Sequence, residues 1–150
     1  MSYKTVLVHV DQSRQAPVRT SVAAEIARAQ PAHLVGAAMT GISHYVFDSG
    51  AFNPNDPTFS HHLEHLRRYA RESLGKFEAT ARGAGVDEVE ARVVDDDAAG
   101  GMALQARYAD LTVIGQFDPS TAVPGGGPPE FVTRICTGPR SPRTRPTSSS

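Results

Sequence analysis

Cysteine is nearly absent from this chain: Cys136 is the one thiol among 150 residues. A single cysteine excludes an internal disulfide framework and fits a reducing compartment. An excess of charge is missing too. Fifteen Lys and Arg face sixteen Asp and Glu, for a formal net charge of -1. That balance supplies no overall field to draw the chain to nucleic acid or to an acidic membrane surface. No apolar run is long enough to span a bilayer. Met1-Ser2-Tyr3-Lys4 leads directly into a strand pattern, without an apolar secretory stretch. These absences lead to the expectation of a soluble cytoplasmic protein, one domain in size and able to bury a real core.

What is present is an alternation of apolar runs and helical stripes. Thr5-Val6-Leu7-Val8-His9-Val10 is a β-branched run of the kind that suits a buried parallel strand. Asp11-Gln12-Ser13 follows as a turn with capping residues. From Ala16 to Ala29, Val18, Val22, Ala23, Ile26 and Ala29 recur with helical spacing, and Pro31 stops the helix. His33 to Met39 reads as a second strand, completing a βαβ unit. Thr40 to Pro57 reads as a loop carrying Tyr45, Phe47 and Phe52. A long helix is predicted from Thr58 to about Arg82, with Leu63, Leu66, Tyr69, Ala70, Leu74 and Phe77 on its buried face and Gly83-Ala84-Gly85 as its stop. Val89 to Val94 alternates with charge, as an edge strand does. A short helix over Ala98 to Tyr108 and a strand over Leu111 to Ile114 complete the series. The order βαβαβαβ predicts an α/β fold: a doubly wound parallel sheet with helices on both faces and strand order 3-2-1-4. The domain spans 1–136. The remainder, 137–150, holds Arg, Pro, Ser and Thr with no large apolar residue, and reads as a disordered tail.

The segment after the last strand, Gly115-Gln116-Phe117-Asp118 through Gly125-Gly126-Gly127-Pro128-Pro129-Glu130-Phe131, falls where such a sheet would place a phosphate at a helix N-terminus. It is poorly made for that task. Pro128 and Pro129 have no N–H to donate, and Asp118 adds negative charge.

Two segments carry a family resemblance. Tyr3-Lys4-Thr5-Val6-Leu7-Val8-His9-Val10-Asp11-Gln12-Ser13 resembles the first strand and turn of universal stress proteins, the UspA-like family. Ala109-Asp110-Leu111-Thr112-Val113-Ile114-Gly115 resembles their fourth strand. The resemblance covers residues 3 to 136 and implies an adenine-nucleotide alpha-hydrolase-like fold. It also implies a role in stress response and a homodimer. ATP-binding members carry Gly, two residues, Gly, nine residues, then Gly and Ser or Thr. Counted from Gly115, the second glycine falls on Asp118 and the closing pair on Pro128-Pro129, so two of three anchor points fail. The family usually ends in a fifth, apolar strand. Here the Arg- and Pro-rich tail stands in its place, so that strand is expected to be missing or distorted and the fourth strand exposed as an edge. The resemblance therefore implies a stress protein that does not bind ATP, acts through association and catalyses nothing. An alternative is a protein that binds ATP with Mg through Asp11, Gly115 and the triple glycine Gly125, Gly126 and Gly127, which could form an anion nest. Asp11 has two readings, a partner for a nucleotide ribose or a turn residue capping the first helix. A third alternative is a small-molecule sensor whose cleft lies under the aromatics of the Thr40–Phe59 stretch.

The remaining polar clusters favour plainer roles. His61 and His65 share a helix face, yet lack an evident third ligand, and read as solvated. Asp95, Asp96 and Asp97 read as an acidic cap for the next helix. His9 reads as a packed or hydrogen-bonded strand residue, and Cys136 as a buried or inert thiol. Arg140, Arg143 and Arg145 lack interleaved aromatics and read as a solvated tail, so neither nucleic acid nor metal is expected.

Overall fold

A computed structural model describes residues 2–43, 45–50, 53, 55–116, 119–121, 131, 135 and 136. The expectations for Phe117, Asp118, Gly125 to Pro129 and the tail from 137 onward fall outside these residues.

The elements run β1 (Thr5–His9), α1 (Ala16–Ala29), β2 (His33–Met39), α2 (Tyr45–Asp48), α3 (Pro57–Gly83), β3 (Val89–Val94), α4 (Ala98–Ala106) and β4 (Leu111–Val113). The strands form one parallel sheet in the order β3-β2-β1-β4, as the sequence pattern predicts. β3 is an edge strand. Among the described residues no strand lies beyond β4.

Side-chain parity divides the core into two layers, because successive strand residues point to opposite faces. Val6, Val8, Val10, Leu34 and Ala38 meet Ala23, Ala24 and Ala27 of α1 and Ala70, Leu74, Phe77 and Ala81 of α3. Leu7, Val35, Ala37 and Met39 meet Ala98, Ala99 and Met102 of α4, together with Phe131. Both faces of β1 and β2 are covered, which is why these strands are continuously apolar rather than alternating.

Gly36 sets the approach of α3 to the sheet. A Cβ there would lie 2.6 and 2.7 Å from ring carbons of Phe77, so only hydrogen leaves room for the ring. The long helix begins where Asp56 accepts a hydrogen bond from the Thr58 amide at 2.9 Å and Pro57 takes the first helical turn. It ends at Ala84 and Gly85, whose φ of +88° is the left-handed conformation glycine adopts freely.

Three expectations are corrected. The buried face of α1 is not the Val18–Val22–Ile26 stripe. Val18 is 67% and Val22 46% exposed, while Arg19, Thr20, Ala23, Ala24 and Ala27 face inward. Small alanines let the helix sit close to the sheet, and the larger valines are left outside. The stretch from Thr40 to Pro57 is not loop throughout, since Tyr45–Asp48 forms one helical turn held by Val46 N–H to Ser43 C=O at 3.0 Å. Cys136 is exposed rather than buried.

Asp110 ties the ends of the sheet together. Its carboxylate accepts the Lys4 amide at 2.8 Å and the Thr5 amide at 3.0 Å, and its own N–H donates to Thr5 C=O at 3.0 Å. The Lys4 amide, then the Thr5 amide, hold its carboxyl below the usual carboxylate range. The Ala-Asp pair ahead of β4 thus has a structural role.

Candidate functional site

The chain crosses from β1 to β2 on one side and reaches β4 on the other. The carboxyl ends of β1 and β4 therefore flank the topological switch point, where open α/β sheets place ligands. Asp11 and Gly115 both lie here, as the sequence pattern predicts.

The structure puts a residue between them that the sequence reading passed over. Arg19 lies on the inward face of α1 and is 8% exposed. Its Nη1 donates to the His9 carbonyl at 2.9 Å and stands 3.5 Å from Asp11 Oδ1. Its guanidinium lies against Gly115. A Cβ added at Gly115 would come to 3.0 Å from the guanidinium carbon and 3.1 Å from Nε. Glycine at this position makes room for the arginine.

Asp11 is correspondingly occupied. Its side chain is 5% exposed. Oδ1 accepts the Ser13 amide at 3.1 Å and the Ser13 hydroxyl at 2.6 Å, in addition to facing Arg19. This is an Asx turn. The expected cap of α1 is not formed by Asp11, because Gln15 takes the N-cap position with no side-chain cap bond. Oδ2 stands 3.9 Å from His9 Nδ1, beyond hydrogen-bond reach. The imidazole itself is buried on the α4 face of the sheet, edge-on to Phe131 with ring centroids 4.9 Å apart.

Two buried polar atoms have no hydrogen-bond partner among the described residues: Arg19 Nε and Thr40 Oγ1. Arg19 reaches the carboxyl end of β1, and Thr40 follows directly on β2. Unsatisfied buried donors are costly, and their gathering at the carboxyl end of the sheet marks this end as the polar one. Beside Asp11, between the start of α1 and α3, lies a cavity of about 120 Å³ lined in part by Val10, Gln12, Ser13, Lys76 and Phe77. It is smaller than the few hundred Å³ typical of pockets for nucleotide-sized ligands.

The other candidates fall into structural roles. Asp97 caps α4 by accepting the Gly100 amide at 3.1 Å. Asp95 forms a two-pronged pair with Arg67, which raises the Arg67 pKa through the hydrogen bond to Asp95. His61, His62 and His65 are exposed, and the described residues hold no group of three or more His, Cys, Asp or Glu able to grip a metal ion. Phe47 packs edge-on against Phe59 at 6.0 Å, so this part of the aromatic stretch packs on itself. The Phe52 expectation lies outside the described residues, as do the Tyr45 side chain and the triple glycine. Among the described residues no helix is long and apolar enough to cross a membrane.

Comparison with protein-family models gives no match, and comparison with curated proteins gives none either. Solved structures do match. The universal stress protein UspA of Lactobacillus plantarum is 19% identical, with a TM-score of 0.66 over 91% of this chain and 92% of that one. A universal stress protein solved in complex with cAMP is 22% identical, with a TM-score of 0.58 over 91% of this chain and 90% of the other. Protein Rv1636 of Mycobacterium tuberculosis is 26% identical, with a TM-score of 0.53 over 91% of each chain. The fold is therefore that of universal stress proteins, as the resemblance in β1 and β4 implies.

Proposed function

We propose that this chain is a universal stress protein-like module that works by association with partner proteins, takes no ATP in its switch-point crevice and performs no chemical step. The observation that carries the reading is the state of Asp11. Its carboxylate is almost fully buried and already engaged by the Ser13 amide, the Ser13 hydroxyl and the Arg19 guanidinium. A ribose hydroxyl would find Oδ1 taken by these three groups and would have to reach the buried Oδ2 instead. Asp118 and Pro128-Pro129 add to this from the sequence, by charge repulsion and by loss of N–H donors. A cytoplasmic homodimer is the assembly this reading expects.

One observation favours a second reading. A protein of this fold binds cAMP, and Gly115 with the triple glycine Gly125–Gly127 could cradle phosphate. Calorimetric titration with ATP and Mg²⁺, and separately with cAMP, decides between them. Absence of heat up to about 1 mM nucleotide supports the association reading, whereas micromolar affinity overturns it in favour of a nucleotide switch. Light scattering at high concentration tests the assembly, and a monomer alone removes the homodimer.

A further inference from the structure

We propose that the amino end of the sheet, on the face covered by α4, holds a binding site for a short-chain carboxylate. It lies at the opposite end of the strands from the switch point, so it stands or falls apart from the association reading.

The site is a cavity of about 110 Å³. Strand register builds it. Thr5 pairs with His33 and Leu7 with Val35, and Arg92 of β3 stands beside Ala37, all on the α4 side of the sheet. Leu7 and Val35 are each 1% exposed and form an apolar floor. Gln105, Tyr108 and Ala109, at the end of α4 and just past it, close the other side. The wall at Thr5 is held by the neighbouring Asp110, which engages both its amide and its carbonyl.

The walls offer hydrogen-bond donors. Arg92 is the one formally charged residue among those lining the cavity. Its Nε donates to Glu90 Oε1 at 2.5 Å and its Nη1 to Gln105 Oε1 at 2.8 Å. Two partners fix the plane of the guanidinium and leave Nη2 without an acceptor among the described residues. The hydroxyls of Thr5 and Tyr108 have no partner among those residues either. The carbonyls of the last turn of α4 are already taken: Leu104 accepts from the Arg107 amide, Gln105 from the Tyr108 amide and Ala106 from the Ala109 amide. An oriented guanidinium and two hydroxyls over an apolar floor match a ligand that accepts at one end and is apolar at the other. A carboxylate suits the planar, charged donor better than a neutral acceptor does. The volume sets the length. Pockets for drug-sized ligands hold about 300–1,000 Å³, so this one takes a carboxylate with a tail of only a few carbons.

The test is titration of the isotope-labelled full chain with sodium butyrate, followed by NMR at the Leu7 and Val35 methyls and the Tyr108 ring. Butylammonium chloride, with the same tail and the opposite charge, is the comparison. The expected result is a saturable shift with butyrate, with a Kd of about 1–10 mM, and none with butylammonium. Arg92→Met should weaken binding at least about tenfold by loss of the charged donor. Tyr108→Phe should weaken it about fivefold by loss of one hydrogen bond. No saturation by about 100 mM butyrate overturns the site. Equal shifts from butylammonium, or undiminished binding by a folded Arg92→Met chain, overturn it as well. If Arg92→Met does not fold, Tyr108→Phe decides, because that side chain is 77% exposed and its hydroxyl can be removed without disturbing the core; undiminished binding by that variant then overturns the proposal.

Discussion

Replacing Gly115 by Ala probes the contact between β4's end and Arg19 directly. Gly115 is not in the left-handed region, so alanine is acceptable to the backbone. On backbone grounds alone the change should stabilise by about 0.4–1 kcal/mol, by restricting the unfolded chain. The new Cβ, however, would sit about 3 Å from the guanidinium carbon, and Arg19 must move. Moving it surrenders the 2.9 Å bond to the His9 carbonyl, a hydrogen bond from a charged donor worth about 1.5–3 kcal/mol. The net expectation is a loss of about 1–2 kcal/mol. In an Arg19→Ala background the obstacle is gone, and the same glycine substitution should be neutral or slightly stabilising. The coupling between the two sites is thus about 1.5–3 kcal/mol, read from urea unfolding of the four proteins in a double-mutant cycle. With a urea slope of about 1–3 kcal/mol/M, the single Gly115→Ala midpoint should fall by roughly 0.3–2 M. Equal costs of Gly115→Ala in both backgrounds would refute the contact and, with it, the position of Arg19.

Three other perturbations follow from the packing and the charges. Gly36→Ala drives a methyl into the buried Phe77 ring and should cost about 1–3 kcal/mol in thermal or urea unfolding, with Gly36→Ala/Phe77→Leu recovering part of the loss; full additivity of the two changes would contradict the contact. Asp110→Asn should destabilise at neutral pH. The folded carboxyl of Asp110 lies below its unfolded value, so its contribution is complete above the unfolded value and disappears as pH falls through the folded one. The gap between the two proteins, followed by denaturation across pH, should therefore close below about pH 4, and a gap unchanged at pH 3 would rule out the charge. Arg67→Met removes the partly exposed pair with Asp95 and should cost less than about 1 kcal/mol, shrinking in about 1 M NaCl; a large, salt-independent loss would show that Arg67 acts through packing instead.

The sheet was legible because its signal is redundant. Val6 to Val8 and Leu34 to Ala38 are apolar without alternation, which only a strand covered on both faces requires, and the spacing between runs leaves room for crossover helices. The inner face of α1 was misread for a definite reason. Valine draws the eye over alanine, yet the periodicity from Ala27 back through Ala23 leads to Arg19, four residues earlier each time. Following that stripe would have exposed an arginine on a buried face eight residues after Asp11. Asp11 and Gly115 were legible as neighbours at the switch point, because strand order alone places them there. What occupies the space between them was not, since it depends on the reach of one side chain. The clamp formed by Asp110 was hidden for a similar reason: its partners are backbone amides, and those leave no mark in the sequence.

That clamp joins residues separated by 106 positions. β1 lies in the middle of the sheet, but its β4 side can be covered only after about a hundred further residues have been made. At roughly 5–20 residues per second, a ribosome leaves that edge open for about 5–20 s. β2 arrives much sooner, so the nascent chain passes through a stage with one side of its central strand paired and the other bare. An unpaired apolar strand edge is a template for wrong partners. The seconds before Leu111–Val113 emerges are thus the interval in which this side of β1 stands open to wrong pairing.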